Sequence, residues 1–208
     1  MVEKAKNHWD IVYETKSPDQ VSWTQVIPKT SLDFIHSLNL PKSAKIIDIG
    51  GGDSRLVDFL LQEGFENITV LDISAKAIEK AKNHLGEQAR QIHWVVSDIT
   101  EFEPSEVYDL WHDRATFHFL TSEDEIEKYV RICENNISDG GYLVLGTFSE
   151  KGPKKCSGLD ISQYSESTLS ARFKYGFKKI KCVEENHITP QNAIQHFLFC
   201  SFNKRKNI

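Results

Sequence analysis

The sequence predicts an α/β fold: a largely parallel sheet with helices on both faces and an antiparallel β-hairpin at the end. Two observations carry this prediction. From Lys45 onward, short apolar runs alternate with helical patterns, which is typical of parallel strands joined by helices. Two final β-like runs, residues 177–187 and 193–203, are then separated by a short turn. The last strand is therefore expected to run antiparallel to the others.

Each element follows from its own pattern. The five strands predicted before the hairpin cover residues 45–49, 67–72, 91–97, 107–112 and 141–147. Helical patterns between them cover residues 54–63, 75–84 and 122–136. Ser74 and Thr121 are expected to be N-caps, because a hydroxyl oxygen can accept from the free N–H groups of a first helical turn. Apolar residues at helical spacing predict one more helix over residues 28–38.

Composition limits the partners. With 208 residues and 39% hydrophobic content, the chain suits one domain with a substantial core. A net charge of −5 argues against bulk nucleic-acid binding, which depends on Lys and Arg. No apolar run approaches the roughly 18–20 residues that span a bilayer, so no membrane partner is expected. We predict a monomer or weak dimer.

The four cysteines are widely spread and form no CxxC pair, so neither a metal site nor a disulfide framework is expected. A reducing cytoplasm is the predicted location. Cys133, Cys182 and Cys200 lie in apolar segments and are predicted to be small core residues. Cys156 lies in the long polar segment 148–164, where it is predicted to help order the loop. A catalytic thiol is the less favoured alternative.

Three consecutive glycines, Gly50, Gly51 and Gly52, join the first predicted strand to the following helix. Glycine lets the main chain approach a ligand closely and adopts positive φ at little cost. The helix that follows presents free N–H groups to an anion. A nucleotide-like ligand is the resulting hypothesis.

Acidic residues stand at or near the ends of four predicted strands: Asp48, Asp72, Asp98 and Asp113. In an open α/β sheet, ligands bind outside the carboxyl ends of the strands. Asp72 lies twenty residues after Gly52, a spacing that suits a carboxylate accepting from ribose hydroxyls. Asp98 is placed to accept from an adenine amino group, with Ile99 against the ring.

An NAD-dependent enzyme is an alternative, because it also uses a glycine turn and an acid about twenty residues later. The dinucleotide fingerprint needs a third glycine, and Arg55 occupies that position here. This departure makes a nicotinamide cofactor the less favoured hypothesis.

The motifs resemble those of class I, seven-β-strand, S-adenosylmethionine-dependent methyltransferases. They stand, in order, at residues 46–52, 70–74, 97–99 and 108–114. The terminal hairpin resembles the one that this family adds to a Rossmann-like sheet of seven strands. The resemblance implies one methyltransferase domain over residues 1–208, with 1–40 as an arm and lid and 41–208 as the core. The chain also resembles a bacterial-type subset of undefined substrate.

The resemblance implies roles for particular residues. Gly50 and Gly52 would lie against the methionine portion of the cofactor and Asp48 near its amino group. Asp72 would hold the ribose and Asp98 the adenine. The other implied cofactor contacts are Gly51, Ile73, Ile99, Asp113 and Trp23. Trp9, Tyr13 and Trp23 either pin the arm onto the core or form a lid over the ligand.

The implied activity is methyl transfer from S-adenosylmethionine, with S-adenosylhomocysteine as product. A small-molecule acceptor is favoured; a protein side chain such as lysine is the alternative, and a non-catalytic cofactor binder is less favoured. The candidate catalytic residues are His118, Asp113 and Arg114. His118 is a candidate base or acceptor-positioning group, with a structural place in an aromatic cluster as the alternative. Arg114 would hold an anionic acceptor, hold the cofactor carboxylate, or pair with Asp113 or Glu123.

Overall fold

Strands and helices alternate through most of the chain. The computed structural model describes residues 2–206. The strands within that part are β1 (Lys45–Ile49), β2 (Asn67–Asp72), β3 (Ile92–Val96), β4 (Tyr108–Arg114), β5 (Ile137–Phe148), β6 (Lys155–Cys156), β7 (Leu159–Asp160), β8 (Phe177–Ile188) and β9 (Ile194–Lys204). The α-helices are α1 (Val2–Thr15), α2 (Lys29–Ser37), α3 (Leu56–Gln62), α4 (Ala75–Leu85), α5 (Glu123–Asn136) and α6 (Glu166–Phe173).

Seven strands form one sheet in the order β3-β2-β1-β4-β5-β9-β8. The pairs among β1 to β5 are parallel, whereas β9 runs antiparallel to β5 and to β8. The predicted Rossmann-like sheet with a terminal antiparallel hairpin is therefore confirmed. The strand order reverses between β1 and β4, and this is the point where open α/β sheets form a crevice.

Both faces of the sheet are covered, which explains the uninterrupted apolar runs of the central strands. On one face α5 and α6 contribute Tyr129, Leu169 and other buried side chains to the core. On the other face α2, α3 and α4 contribute residues such as Leu32 and Leu60. Within residues 2–206, no helix has the length and apolarity needed to cross a membrane.

Some element boundaries differ from the prediction. β5 begins at Ile137, four residues before the predicted start, and its pairing with β4 is irregular between Tyr108 and Leu110. The N-cap of α5 is Ser122 and not Thr121. The Ser122 hydroxyl accepts from the Glu125 N–H, and the Glu125 carboxylate accepts from the Ser122 N–H. This reciprocal capping box satisfies two donors at once.

Helix α1 was absent from the prediction, which described residues 1–40 only as an arm and lid with a helix over 28–38. Val12 and Tyr13 are buried against the core. Asp10 accepts from the Ser74 hydroxyl at 2.7 Å and from the Lys76 N–H at 3.3 Å, which fastens α1 to the start of α4. Tertiary contacts therefore hold a helix whose own sequence pattern is weak. Helix α6 was also missed.

The cysteines differ from the prediction in one respect. Cys182 on β8 and Cys200 on β9 stand directly opposite each other and form a disulfide, so they are not separate core thiols. The two residues meet only because the hairpin folds. Cys133 and Cys156 are free and buried.

The close contact between β5 and β9 gives a test of this packing. A Cβ on Gly146 would lie 2.5 Å from Phe199 Cε1, inside van der Waals contact. We expect Gly146→Ala to lower the free energy of unfolding by about 1–3 kcal/mol through overpacking. Urea unfolding measures the loss. In the Gly146→Ala/Phe199→Leu double variant the two losses should not add, because the smaller side chain makes room; simple additivity would contradict the contact.

Candidate functional site

A cavity of about 430 Å³ opens at the carboxyl ends of the parallel strands, a size that suits a small ligand. Its wall includes the following residues from the glycine turn and the ends of β1, β2 and β3: Asp48, Gly50, Gly51, Asp72, Ile73, Asp98 and Ile99. Residues from the arm, from the end of β4 and from β6 also line it, among them Trp23, Ser31, Arg114, Phe119 and Cys156. Most of the sequence-predicted site residues therefore meet in one cavity.

The glycine turn needs glycine for two reasons. Gly50 and Gly52 have φ of +63° and +42°, in the left-handed region. A Cβ on Gly52 would lie 2.8 Å from the Tyr13 hydroxyl and 2.9 Å from Asp72 Oδ2. Gly50 and Gly51 line the cavity, whereas Gly52 lies behind the wall, next to Tyr13 and Asp72. Any larger side chain at position 52 would displace the acid predicted to hold the ribose.

Asp72 is a buried carboxyl group at the end of β2. Its Oδ1 accepts from the Ser74 N–H at 2.8 Å. Burial raises the pKa of Asp72 to about 7, and the neighbouring carboxylates of Asp53, Asp48 and Asp10 act in the same direction. The ionised form is therefore costly until further donors reach it. Two ribose hydroxyls are donors of the required kind.

Asp98 and Ile99 follow β3 and line the cavity as predicted. Asp98 Oδ1 accepts from both the N–H and the hydroxyl of Thr100, each at 2.7 Å, and so caps a short turn. Asp98 therefore caps the turn and lines the cavity at the same time. The turn holds the carboxyl group still beside the buried Ile99 side chain.

Asp48 is the third acid at the cavity and forms a buried hydrogen-bond chain. His112 Nδ1 is 2.7 Å from Asp48 Oδ1, and His112 Nε2 is 2.9 Å from the Ser31 hydroxyl. All three side chains are almost fully buried. Because both ring nitrogens are engaged, His112 holds β1, β4 and α2 together beneath the cavity.

Asp113 does not stand where the sequence placed it. Its Oδ1 accepts from the Thr116 and Phe117 N–H groups at 2.9 and 3.3 Å, and its Oδ2 accepts from the Tyr129 hydroxyl at 2.7 Å. It is fully buried and does not line the cavity. Side chains alternate along a strand, so Asp113 points to the α5 face while His112 and Arg114 point to the other. The side chain that the resemblance implied as a cofactor contact therefore points away from the cavity.

His118 is also behind the cavity wall. Its ring stacks on Phe148 with centroids 4.5 Å apart and packs against Phe119 at the same distance. Burial lowers the pKa of His118 to about 3, with the nearby Arg114 charge adding to the effect. The imidazole is therefore neutral, and it does not line the cavity. The structure favours the aromatic-cluster alternative over a general base.

Arg114 and Trp23 lie together on the wall. The Arg114 Nη1 donates to the Trp23 main-chain oxygen at 3.0 Å. The Trp23 ring meets Trp9 and Tyr13 edge to face, with centroids 5.6 and 6.1 Å away. Arg114 pairs with neither Asp113 nor Glu123; the latter is bound to Arg172. The arm thus packs on the core and lines the cavity at the same time.

The cavity wall includes further residues that were not among the predicted cofactor-binding and catalytic residues; Tyr13, Ser31 and His112 are three of them. Tyr13 and His112 carried a signal, since the first belongs to the aromatic arm and the second to the fourth motif. Ser31 carried none, because only folding brings α2 to β4. Among the described residues, no group of three or more His, Cys, Asp or Glu side chains is arranged to hold a metal ion.

The chain is similar in sequence to known proteins. A protein-family model described as a methyltransferase domain matches residues 46–141. Malonyl-(acyl-carrier protein) O-methyltransferase 1 from Ilyobacter polytropus is 29% identical over 161 residues, covering 76% of this chain and 55% of the relative. N-terminal Xaa-Pro-Lys N-methyltransferase 1 from Danio rerio is 24% identical, covering 48% of this chain and 45% of the relative. The chain spans about half the length of these curated relatives.

The fold has solved counterparts. The N-methyltransferase NodS from Bradyrhizobium japonicum WM9, in complex with S-adenosylhomocysteine, superposes with a TM-score of 0.66 at 15% identity, covering 98% of this chain and 96% of that one. The strand order, the glycine turn and the matched family model all indicate the same class of protein. Residues 46–141 match a methyltransferase domain and the fold is shared with solved methyltransferases, which supports a class I, S-adenosylmethionine-dependent methyltransferase, as the sequence motifs indicated.

The position of Asp113 leads to a stability prediction. Asp113→Ala leaves two main-chain N–H groups and the Tyr129 hydroxyl without an acceptor, so we expect a loss of about 3 kcal/mol in unfolding free energy. The affinity for S-adenosylhomocysteine, measured by calorimetry on the folded fraction, should stay within about threefold. Tyr129→Phe, which removes one of the bonds, is the matched control. A tenfold loss of affinity with unchanged stability would contradict the prediction and show that Asp113 contacts the ligand.

The raised pKa of Asp72 leads to a pH prediction. The ribose hydroxyls need the ionised carboxylate as acceptor, so S-adenosylhomocysteine affinity should fall about thirtyfold between pH 8 and pH 5.5, a tenfold change per pH unit below a pKa of about 7. The free protein should show the opposite trend in stability. It loses stability as the pH rises from about 4 to 7, because the native state keeps a proton that the unfolded chain releases. Asp72→Asn should remove most of the affinity trend but only part of the stability trend, because burial also raises the pKa of Asp113, to about 6.

Proposed function

We propose that this chain transfers a methyl group from S-adenosylmethionine to a small-molecule acceptor and releases S-adenosylhomocysteine. The single observation that carries this is the cavity itself, in which the glycine turn and three strand-end acids are continuous with an aromatic part that contains Arg114. The first part suits a nucleoside with an amino-acid tail. The second suits an acceptor held beside it.

The residues present fit the cofactor. Asp72 accepts from the ribose hydroxyls, Asp98 from the adenine amino group, and the main chain of Gly50 and Gly51 adjoins the methionine portion. When bound, S-adenosylmethionine supplies an electrophilic methyl group. The chain itself aligns the two partners for an in-line displacement, and alignment alone can correspond to effective molarities of about 10⁵–10⁸ M.

No proton needs to pass through His112, because both of its nitrogens are engaged. Its role in this proposal is to keep Asp48 beneath the methionine portion. His118 and Asp113, buried behind the wall, support the aromatic cluster and the turn after β4. Trp9, Tyr13 and Trp23 exclude water above the reacting groups.

A protein side chain is the second candidate acceptor. Val26 lines the cavity and is 85% exposed, and the adjacent Ile27 is 57% exposed. Such an apolar rim suits a polypeptide whose side chain enters the cavity, and a relative named as an N-terminal N-methyltransferase is compatible with it. The small molecule is favoured because α1 and the aromatic side chains cover the cavity.

We also propose a single domain that acts as a monomer or weak dimer in the cytoplasm, without bulk nucleic-acid binding. The free Cys133 and Cys156 suit a reducing compartment, while the Cys182–Cys200 disulfide argues for an oxidising one. Alkylation of thiols in cell extract, with and without reductant, distinguishes the two.

The cofactor is tested by thermal denaturation with S-adenosylhomocysteine and with NAD. A ligand at a hundred times its Kd adds about 2.7 kcal/mol to stability, so S-adenosylhomocysteine should raise the melting temperature and NAD should not. Stabilisation by NAD alone would identify the NAD-dependent alternative.

The acceptor is tested with methyl-labelled cofactor in cell extract, separating small products from protein and RNA. Label should appear in the small-molecule fraction and should be absent with Asp72→Ala, which removes the ribose acceptor. Label in protein would identify the second candidate. Cofactor binding without any labelled product would identify a non-catalytic binder.

A further inference from the structure

The cavity wall holds a guanidinium group whose hydrogen-bonding capacity is only partly used. Arg114 ends β4 and lines the cavity. Its Nη1 donates to the Trp23 main-chain oxygen, but its Nε and Nη2 are buried and have no hydrogen-bond partner. More than about nine in ten buried polar groups in proteins are hydrogen bonded to protein or to ordered water. Two donors without a partner on a side chain that lines the cavity therefore make Arg114 a group that a ligand in the cavity can satisfy.

Within the described part of the chain, no carboxylate forms an ion pair with this group, although the charges of Glu185 and Asp48 act on it. None of the ion pairs within residues 2–206 includes Arg114. Burial lowers the pKa of Arg114 to about 10, although Glu185 and Asp48 are near enough to oppose the shift. The side chain is therefore a cation at neutral pH. A buried cation without a partner is costly, and an anionic ligand removes that cost.

The free donors are adjacent on the guanidinium. Nε–H and Nη2–H point from one edge in parallel directions, which matches the two oxygens of a carboxylate. The Phe197 ring lies under the group, 5.0 Å from the guanidinium carbon to the ring centroid. With the Trp23 oxygen and the Phe197 ring holding the guanidinium, the donors left without a partner are those of the Nε–Nη2 edge.

The surroundings of Arg114 lie on the β9 side of the sheet. Phe197 is on β9, two strands beyond β4, whereas Asp72 and Asp98 follow β2 and β3 on the other side of β1. Cys156 lines the same part of the cavity, and the Arg114 charge reaches it. Arg114 and Phe197 thus lie on the side of β1 opposite to the strands that carry the proposed nucleoside contacts.

We propose that Arg114 binds a carboxylate group of the methyl acceptor through Nε and Nη2, so that the acceptor is a small carboxylic acid. This inference rests on the proposed function and specifies the substrate class of the same site. The cofactor's methionine carboxylate is the other source of the same chemistry. Arg114 acts as a positioning group that fixes one end of the acceptor while the other end approaches the methyl group.

The test compares acids with their neutral amides. The protein is saturated with S-adenosylhomocysteine and titrated by calorimetry with acetate, benzoate and 3-phenylpropionate, and then with acetamide, benzamide and 3-phenylpropionamide. At least one acid should bind ten times more tightly than its amide. A panel without any such preference overturns the proposal. Because wild-type protein is used, this arm does not depend on whether a variant folds.

Variants locate the group responsible. Arg114→Gln should lose the acid preference because it removes the charge, and Arg114→Lys should keep only part of it because an ammonium lacks the two parallel donors. Arg131→Gln, at an exposed arginine paired with Glu127, is the matched control and should keep it. Glu185→Gln should strengthen acid binding, because it removes a nearby negative charge. An acid preference that survives in Arg114→Gln overturns the assignment to this residue.

A carboxylate of the acceptor and the methionine carboxylate of the cofactor are distinguished with 5′-methylthioadenosine, which lacks the amino-acid tail. If the acceptor supplies the carboxylate, Arg114→Gln leaves the affinities for S-adenosylhomocysteine and 5′-methylthioadenosine within threefold of wild type. If Arg114→Gln weakens S-adenosylhomocysteine tenfold and spares 5′-methylthioadenosine, the cofactor is the source and the proposal is wrong. Failure of S-adenosylhomocysteine to bind wild-type protein overturns the proposed function instead.

Discussion

The buried hydrogen-bond chain from Asp48 through His112 to Ser31 joins the three elements beneath the cavity. A carboxylate and an imidazole at this depth must be satisfied, because an unpaired buried polar group costs about 1–3 kcal/mol or more. The chain therefore fixes β1, β4 and α2 relative to one another. The glycine turn begins two residues after Asp48 and Arg114 stands two residues after His112. The same hydrogen bonds therefore fix the positions of the glycine turn and of Arg114, which lie in the two halves of the cavity.

The cover of the cavity has a different physical origin. Helix α1 is fastened by the Asp10 contacts at the start of α4 and by aromatic packing among Trp9, Tyr13 and Trp23. These contacts are few compared with those inside the sheet. A cover of this kind can separate from the core at a lower free energy than a central strand. Such a difference is what a site needs if ligands enter beneath an arm and water is then excluded.

The strands were predictable because their environment is simple. Central parallel strands are buried on both faces, so their apolar runs are continuous and short, and β1 and β2 begin and end where the sequence indicates. Helix α1 was not predictable in the same way. Its inward side combines the buried Val12 and Tyr13 with the partly buried His8 and Trp9, so polar and aromatic residues stand where an aliphatic stripe would be expected. Asp10 makes its contacts with a segment more than sixty residues away. The Cys182–Cys200 disulfide likewise depends on which residues of the hairpin face each other.

The sequence by itself determined the chemistry available at one edge of the sheet: a glycine turn, and acids at the ends of β1, β2 and β3. Parallel strands bring their carboxyl ends together whatever the details of packing, so these residues had to meet. Only the tertiary structure decided which side chains after β4 reach the cavity. Arg114 does and Asp113 does not, because alternation along the strand sends neighbours to opposite faces. His118 follows β4 by four residues, yet it packs behind the wall, since the aromatic side chains of β5 and β9 occupy that face.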